Sequence, residues 1–148
     1  MQILVDADAC PVKEIIVRLA KYVSVPVTMV IDTSHVLNDG YSEVITVDTA
    51  RDSVDIRLIN LVCRGDIVVT QDYGVAAMAL GKGAFAINQN GMIYHEGNMD
   101  RLLFERHLSG KQRRAGNKSG KAKKRTEEND RAFELSFWGL LQSEKQTQ

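Results

Sequence analysis

The sequence predicts a three-layer α/β/α fold built on a mainly parallel sheet of about five strands, and three observations carry that prediction. Short apolar runs such as Ile3-Leu4-Val5 and Ile67-Val68-Val69 recur along the chain, and strands without polar alternation are those buried on both faces. Between them lie segments whose apolar residues fall three and four apart, the helical period. Strands and helices alternate, which is the pattern of a parallel sheet covered on both sides.

The first strand, at residues 3–5, runs directly into Asp6-Ala7-Asp8-Ala9-Cys10-Pro11. Residues 11–23 carry Val12, Ile15, Ile16, Leu19 and Ala20 on one stripe, with Lys13, Arg18 and Lys21 outward, an amphipathic helix opened by Pro11. Pro26 breaks that pattern, and 27–31 reads as a second strand. Asn38-Asp39-Gly40 is a turn, 43–47 a third strand and 54–63 a second helix. The fourth strand, 67–69, ends in Thr70-Gln71-Asp72-Tyr73-Gly74; a small-residue helix over 75–80 follows, with Gly81 as its expected stop. Residues 84–87 are a fifth strand, Asn90-Gly91 suits a hairpin, and 92–94 return. Met99, Leu102, Leu103 and Leu108 mark a helix over 98–109. Residues 110–125 hold eight lysines and arginines, no acid and no large apolar residue, a flexible basic linker. Thr126 is placed as the N-cap of a last helix, 126–142, whose Phe133, Phe137, Leu140 and Leu141 dock on the domain formed by 1–109.

Composition narrows the function classes. At 148 residues, 44% hydrophobic and 26% charged, the chain has the make-up of one globular domain. There is no apolar run long enough to span a membrane, and the N-terminus lacks the basic region and apolar core of a secretory signal. Cys10 and Cys63 then read as reduced thiols of a cytoplasmic protein. Cys10 is either a small packing residue or, near a helix start, a thiol of lowered pKa. The net charge of zero conceals an asymmetry. Residues 1–100 hold thirteen acids against seven bases, whereas 101–148 hold six acids against twelve bases. An acidic body joined to a basic tail suggests a metal site beside a polyanion-binding surface.

The acids fall in a pattern. Asp6 and Asp8, two apart in an extended segment, point the same way, at the carboxyl edge where open α/β sheets bind their ligands. Asp72 follows the fourth strand, and Asp52 and Asp55 open the second long helix, so four or five carboxylates are expected to converge there. Carboxylates this close repel unless a cation neutralises them. Mg²⁺ or Mn²⁺ is the natural partner, because hard cations prefer oxygen ligands. Each acid also has a simpler reading as a helix cap, Asp8 for the helix that Pro11 opens among them, while Asp32 is expected to be a cap or loop residue.

Val5-Asp6-Ala7-Asp8-Ala9-Cys10-Pro11-Val12-Lys13, Asp52 with Asp55, Gly65 to Gly74, Arg106-His107 and Arg113-Arg114 together resemble the YaiI/YqxD family of small bacterial proteins across nearly the whole chain. That family is placed among PIN-like domains, which resemble metal-dependent nucleases. The resemblance implies Asp6, Asp55 and Asp72 as metal ligands and Asp8 and Asp52 in supporting roles, Asp8 orienting a water or holding a second ion. The chemistry implied is phosphodiester hydrolysis. Arg106, His107, Arg113, Arg114, Lys118 and Lys121 would contact nucleic acid, RNA before DNA. Related nuclease domains often carry a further acid two residues after the position of Asp72; here it is Gly74. The basic run also reads as a solvated loop, and His107 as a structural residue among leucines. Two other functions fit parts of the pattern: a non-catalytic RNA-binding module, and a haloacid-dehalogenase-like phosphatase using Asp6 and Asp8. The phosphatase lacks its late acidic pair, since Asp72 has no close acidic partner.

Overall fold

The computed structural model describes residues 1–32, 36–48, 53–114 and 124–146. In chain order they form β1 (Ile3–Asp6), α1 (Lys13–Val23), β2 (Val27–Asp32), β3 (Glu43–Val47), α2 (Val54–Leu61), β4 (Ile67–Val69), α3 (Tyr73–Gly81), β5 (Phe85–Ile87), β6 (Ile93–Tyr94), α4 (Glu96–Arg114) and α5 (Glu127–Gln146). The sheet order is β3-β2-β1-β4-β5-β6, and all neighbours are parallel except β5 and β6. The three-layer, mainly parallel architecture is the expected one. Its sixth strand is the hairpin return, two residues long and antiparallel at the edge.

Alternation along the central strands divides the core in two. Ile3 and Val5 of β1, with Ile67 and Val69 of β4, point to a layer completed by α1 and α5. Leu4 and Val68 point to the opposite layer, with Leu58 of α2, Val75, Ala76 and Ala79 of α3, and Met99 and Leu102 of α4. Every side chain of β4 is buried, which explains why its sequence shows no polar alternation.

Local chemistry sets the helix ends, and several differ from the sequence expectation. Helix α1 begins at Lys13, after Val12, with no side-chain cap; Pro11 lies in the preceding turn rather than in the first helical turn. The helix ends on Ser24, a non-glycine residue at φ 59°. Helix α3 runs through Gly81, and the left-handed residue that stops it is Gly83, at φ 82°. The amide of Gly83 bonds the Leu80 carbonyl and that of Ala84 the Ala79 carbonyl, both at 3.0 Å, the paired bonds that close a helix on a glycine. Thr126 caps α5 as expected, its hydroxyl accepting from the Asn129 amide at 3.4 Å while Asn129 Oδ1 accepts from the Thr126 amide at 3.0 Å.

Helix α4 continues to Arg114, so the first five residues of the basic run are helical. Lys111, Gln112, Arg113 and Arg114 are good helix formers, and Gly110 alone costs only about 1 kcal/mol. At nineteen residues α4 is about 28 Å long, twice the length of the nine-residue α3 on which it packs. Met99 and Leu102 are buried, whereas Leu103, Phe104 and Leu108 are exposed. No helix among the described residues is long and apolar enough to cross a membrane.

Helix α5 seals the layer on the α1 side. Phe133 and Phe137 are fully buried and stack with centroids 5.2 Å apart; Arg18 of α1 pairs with Glu134, and Tyr22 meets Trp138 at 5.7 Å. The hairpin glycine fixes the approach of this helix. Gly91 sits at φ 87°, and a Cβ there would lie 2.5 Å from the Ala132 carbonyl oxygen and 2.8 Å from its carbon. Gly91→Ala is expected to cost about 2 kcal/mol or more in urea unfolding, since it adds left-handed strain to a clash with backbone.

Candidate functional site

The chain lays β1, β2 and β3 outward in one direction, then returns to place β4 on the other side of β1. Helices from the two halves leave the sheet on opposite sides there, which opens a crevice at the carboxyl ends of β1 and β4. Asp6 is the last residue of β1, and Thr70, Gln71 and Asp72 follow β4. A cleft of about 420 Å³ at this point is lined by Asp6, Asp8, Ala9, Gln71, Asp72, Tyr73 and Arg106. Asp55 stands in the first turn of α2, whose N-cap is Ser53.

One hydroxyl organises the acids. Thr70, 2% exposed, donates from Oγ1 to Asp6 Oδ2 at 3.1 Å and accepts the Asp72 amide on the same oxygen at 3.0 Å. Its carbonyl accepts the buried Tyr94 hydroxyl at 3.1 Å. Asp72 then caps α3, its Oδ1 accepting from the Gly74 amide at 2.8 Å and the Val75 amide at 3.2 Å. Asp8 is held differently: its two oxygens lie 3.2 and 3.4 Å from the Asp32 amide at the end of β2. The reading of Asp8 as the cap of α1 is thus replaced by a bond across to the neighbouring strand. Between Asp8 and Cys10, Ala9 adopts φ 57°, and its carbonyl accepts Gln71 Nε2 at 3.1 Å. A left-handed alanine is strained, and here it makes the turn that keeps Asp8 on the cleft.

The electrostatics follow from burial and crowding. Asp6 is pushed up to about 6, first by burial and then by the charges of Asp55, Asp72 and Asp8, against the lowering effect of the Thr70 hydrogen bond. Asp55 is also raised, by burial and then by Asp72. These aspartates therefore sense one another through space. The donor set, all carboxylate oxygen, suits a hard divalent cation. Among the described residues, however, no three Asp, Glu, His or Cys side chains stand at the spacing that would hold a metal ion. Asp72 spends Oδ1 on two helix amides, and Asp55 belongs to a separate helix.

The remaining expected residues divide as follows. Arg106 lines the acidic cleft. His107 is exposed on α4, so it is not a core histidine. Arg113 and Arg114 lie in the last turn of α4, their side chains outside those described; Asp52, Lys118 and Lys121 lie outside the described residues. Cys10 is buried, and burial pushes its thiol up, which makes it a packing residue rather than an activated thiol. Asp66 is structural. It is 4% exposed at the opposite edge of the sheet and accepts from the Gln2 amide at 3.2 Å and the Cys63 amide at 2.8 Å. Sequence reasoning missed the linking roles of Thr70 and Gln71. The local signal for Thr70 was its place two residues before a helix-capping aspartate, where a hydroxyl reaches backbone amides.

Comparison with known proteins agrees with the motif pattern. The family described as "Uncharacterized BCR, YaiI/YqxD family" matches residues 4–143. The UPF0178 protein of Ruminiclostridium cellulolyticum is 67% identical over 146 residues, covering 99% of this chain and 95% of that one. The UPF0178 protein of Clostridium acetobutylicum is 53% identical over 143 residues, covering 95% and 97%. Among solved structures, the crystal structure of Rae1 (YacP) from Bacillus subtilis matches with a TM-score of 0.45 and 21% identity over 78% of this chain and 84% of that chain. With a family match over nearly its full length and relatives above half identity, the chain belongs to the uncharacterised YaiI/YqxD family.

Proposed function

We propose that this protein is a metal-dependent nuclease of the PIN-like kind, a cytoplasmic enzyme that hydrolyses phosphodiester bonds in RNA with Mg²⁺ or Mn²⁺. The observation that carries the reading is the gathering of mutually repelling aspartates around Asp6 at the switch point of the sheet, with Asp6 pushed up to about 6 chiefly by burial. Asp6, Asp55 and Asp72 would hold the ion, with Asp52 as auxiliary, and the ion would supply a bound water of lowered pKa and charge to offset the scissile phosphate. Thr70 keeps Asp6 oriented, and Asp8, fixed to the Asp32 amide, would align the attacking water. Arg106 at the cleft would hold the phosphate backbone. His107, Arg113, Arg114, Lys118 and Lys121 would extend that contact along α4 and beyond, a sequence-independent and salt-sensitive grip.

A second reading is a non-catalytic RNA-binding module. It is favoured by the capping role of Asp72, by the missing acid at Gly74, and by the lack of a ready metal triad among the described residues.

Metal-free stability tests the electrostatic half of the proposal. The pKa of Asp6 is about 6 in the folded chain against 3.8 when unperturbed. The native state therefore binds the extra proton, and the stability this contributes at pH 4 is lost as pH rises through 6. In chelator, Asp6→Asn should gain about 1–2 kcal/mol over the wild type at pH 7, after allowance for solvent screening, and little at pH 4. Urea midpoints at the two pH values decide; an equal shift at both would remove the argument that burial and like charge disfavour an ionised Asp6.

Activity tests the other half. With Mn²⁺, purified protein should cut single-stranded RNA slowly, and chelator should abolish the cutting. Asp72→Asn should lower the rate more than about 100-fold while keeping the melting temperature, because asparagine caps a helix as well as aspartate does. Gly74→Asp is the complementary variant: Gly74 is not left-handed, and its Cβ would meet only Asp72 Oδ1, at 3.1 Å. A gain in metal-dependent cleavage is expected. RNA bound but never cut, by either form and with any divalent metal, would favour the binding module.

A further inference from the structure

A second pocket adjoins the acidic cleft and shares Gln71 with it. Its volume is about 550 Å³, and it lies between the turn after β4, the β5–β6 hairpin and the start of α5, lined among others by Gln71, Gln89, Asn90, Lys124 and Asn129. Arg125 builds its floor, bonding Asp130 Oδ1 at 2.8 Å, Asn90 Oδ1 at 2.8 Å and the Gln89 carbonyl at 2.7 Å. Those bonds use three of its five N–H donors, and its charge is paired with Asp130.

The polar atoms that remain give the pocket its character. Gln71 Nε2 is tied to Ala9, which leaves Oε1 as an acceptor. Asn90 and Asn129 each accept through Oδ1, which leaves their amide nitrogens as donors. Gln89 Oε1 is buried and finds no hydrogen-bond partner among the described residues. A buried acceptor left unmet is costly, and because Gln89 lines the open pocket, a turn of its side chain would bring that acceptor to a ligand donor. Donors and acceptors are mixed, with Lys124 exposed and the other cation, Arg125, held between Asp130, Asn90 and the Gln89 carbonyl. This pattern does not fit a bare anion, for which donors alone would serve. It fits the edge of a nucleobase, which presents both kinds of group and which amide side chains read.

We infer that this pocket is a base-recognition subsite for a nucleotide flanking the phosphate held at the acidic cleft, so that the protein selects single-stranded nucleic acid by base identity. The inference rests on the nuclease reading only for the position of the strand, and binding without metal tests it independently of cleavage. Gln71 is the hinge of the arrangement: it borders both pockets, so a strand whose phosphate lies at the cleft has its adjacent base within reach of the amides. Lys124 adds attraction for backbone and no selectivity.

The test is fluorescence anisotropy of labelled oligo-A, oligo-C, oligo-G and oligo-U in chelator, using the full chain. The wild type should prefer one base by roughly tenfold, the discrimination of a single well-placed base-edge pair. Gln89→Ala should bring the four affinities within about twofold of one another while melting at the same or a higher temperature, since the unmet acceptor is removed and the Gln89 carbonyl stays on Arg125. Lys124→Ala should weaken all four equally and flatten the salt dependence. Equal wild-type affinities, no binding at all, or a preference that survives Gln89→Ala would overturn the subsite. None of these outcomes bears on metal-dependent cleavage, which the RNA assay judges separately.

Discussion

The candidate site depends on the bond that joins two strands through the Thr70 hydroxyl. A hydroxyl has one proton to give and lone pairs to receive, and Thr70 uses both, donating to Asp6 and accepting the Asp72 amide. The donated proton partly offsets the burial of Asp6, so a carboxylate can stand at the base of a cleft without being driven still further toward the neutral form. The accepted amide sets where α3 begins, and with it the position of Asp72. Tyr94, reaching the Thr70 carbonyl from the edge strand, braces the same turn. Three elements are therefore aligned by one buried residue, and the crevice between β1 and β4 takes its geometry from it.

The layered architecture was legible because burial on both faces leaves a plain mark in sequence. Ile67-Val68-Val69 has no polar side to show, and the parallel, central strand that this predicts is what β4 is. Helix ends were less legible, because two glycines near the end of α3 are equivalent in sequence and only backbone geometry selects Gly83 over Gly81. The outer half of α4 shows a different limit. Leu103 and Leu108 complete a convincing apolar period, but both are exposed while Leu102 beside them is buried. Periodicity reports which face is apolar and is silent on whether a partner covers it.

At the site, what the sequence revealed was the carboxyl edge, because strand ends and helix starts are the easiest features to locate. Asp6, Asp8 and Asp72, read as converging on that edge, line one cleft in the structure, and Arg106, read only as a nucleic-acid contact through the family resemblance, lines it with them. The sequence did not reveal how each acid is restrained, since a cap, a cross-strand bond and a strained turn all begin from an aspartate or alanine in a loop. The same limit applies to Gly65-Asp66, a motif of conspicuous composition whose acid ties the turn before β4 to Gln2 and has no part in the cleft. An acid's chemistry is set by the edge of the sheet it stands on, and that is a property of topology.

The place of α5 has a consequence for how the protein is made. The face of the sheet that α1 covers is completed by Phe133, Phe137, Leu140 and Leu141, residues more than one hundred positions later in the chain than the helix they join. Contacts of such separation form late, because the intervening chain must close as one loop. During synthesis the strands and α1 emerge before α5, and the apolar face they share stays uncovered until that helix follows. A chain truncated before α5 would retain every aspartate of the cleft and lack the cover of its core. Reliable synthesis of the fold therefore depends on α5 as well as on the strands that carry the acids.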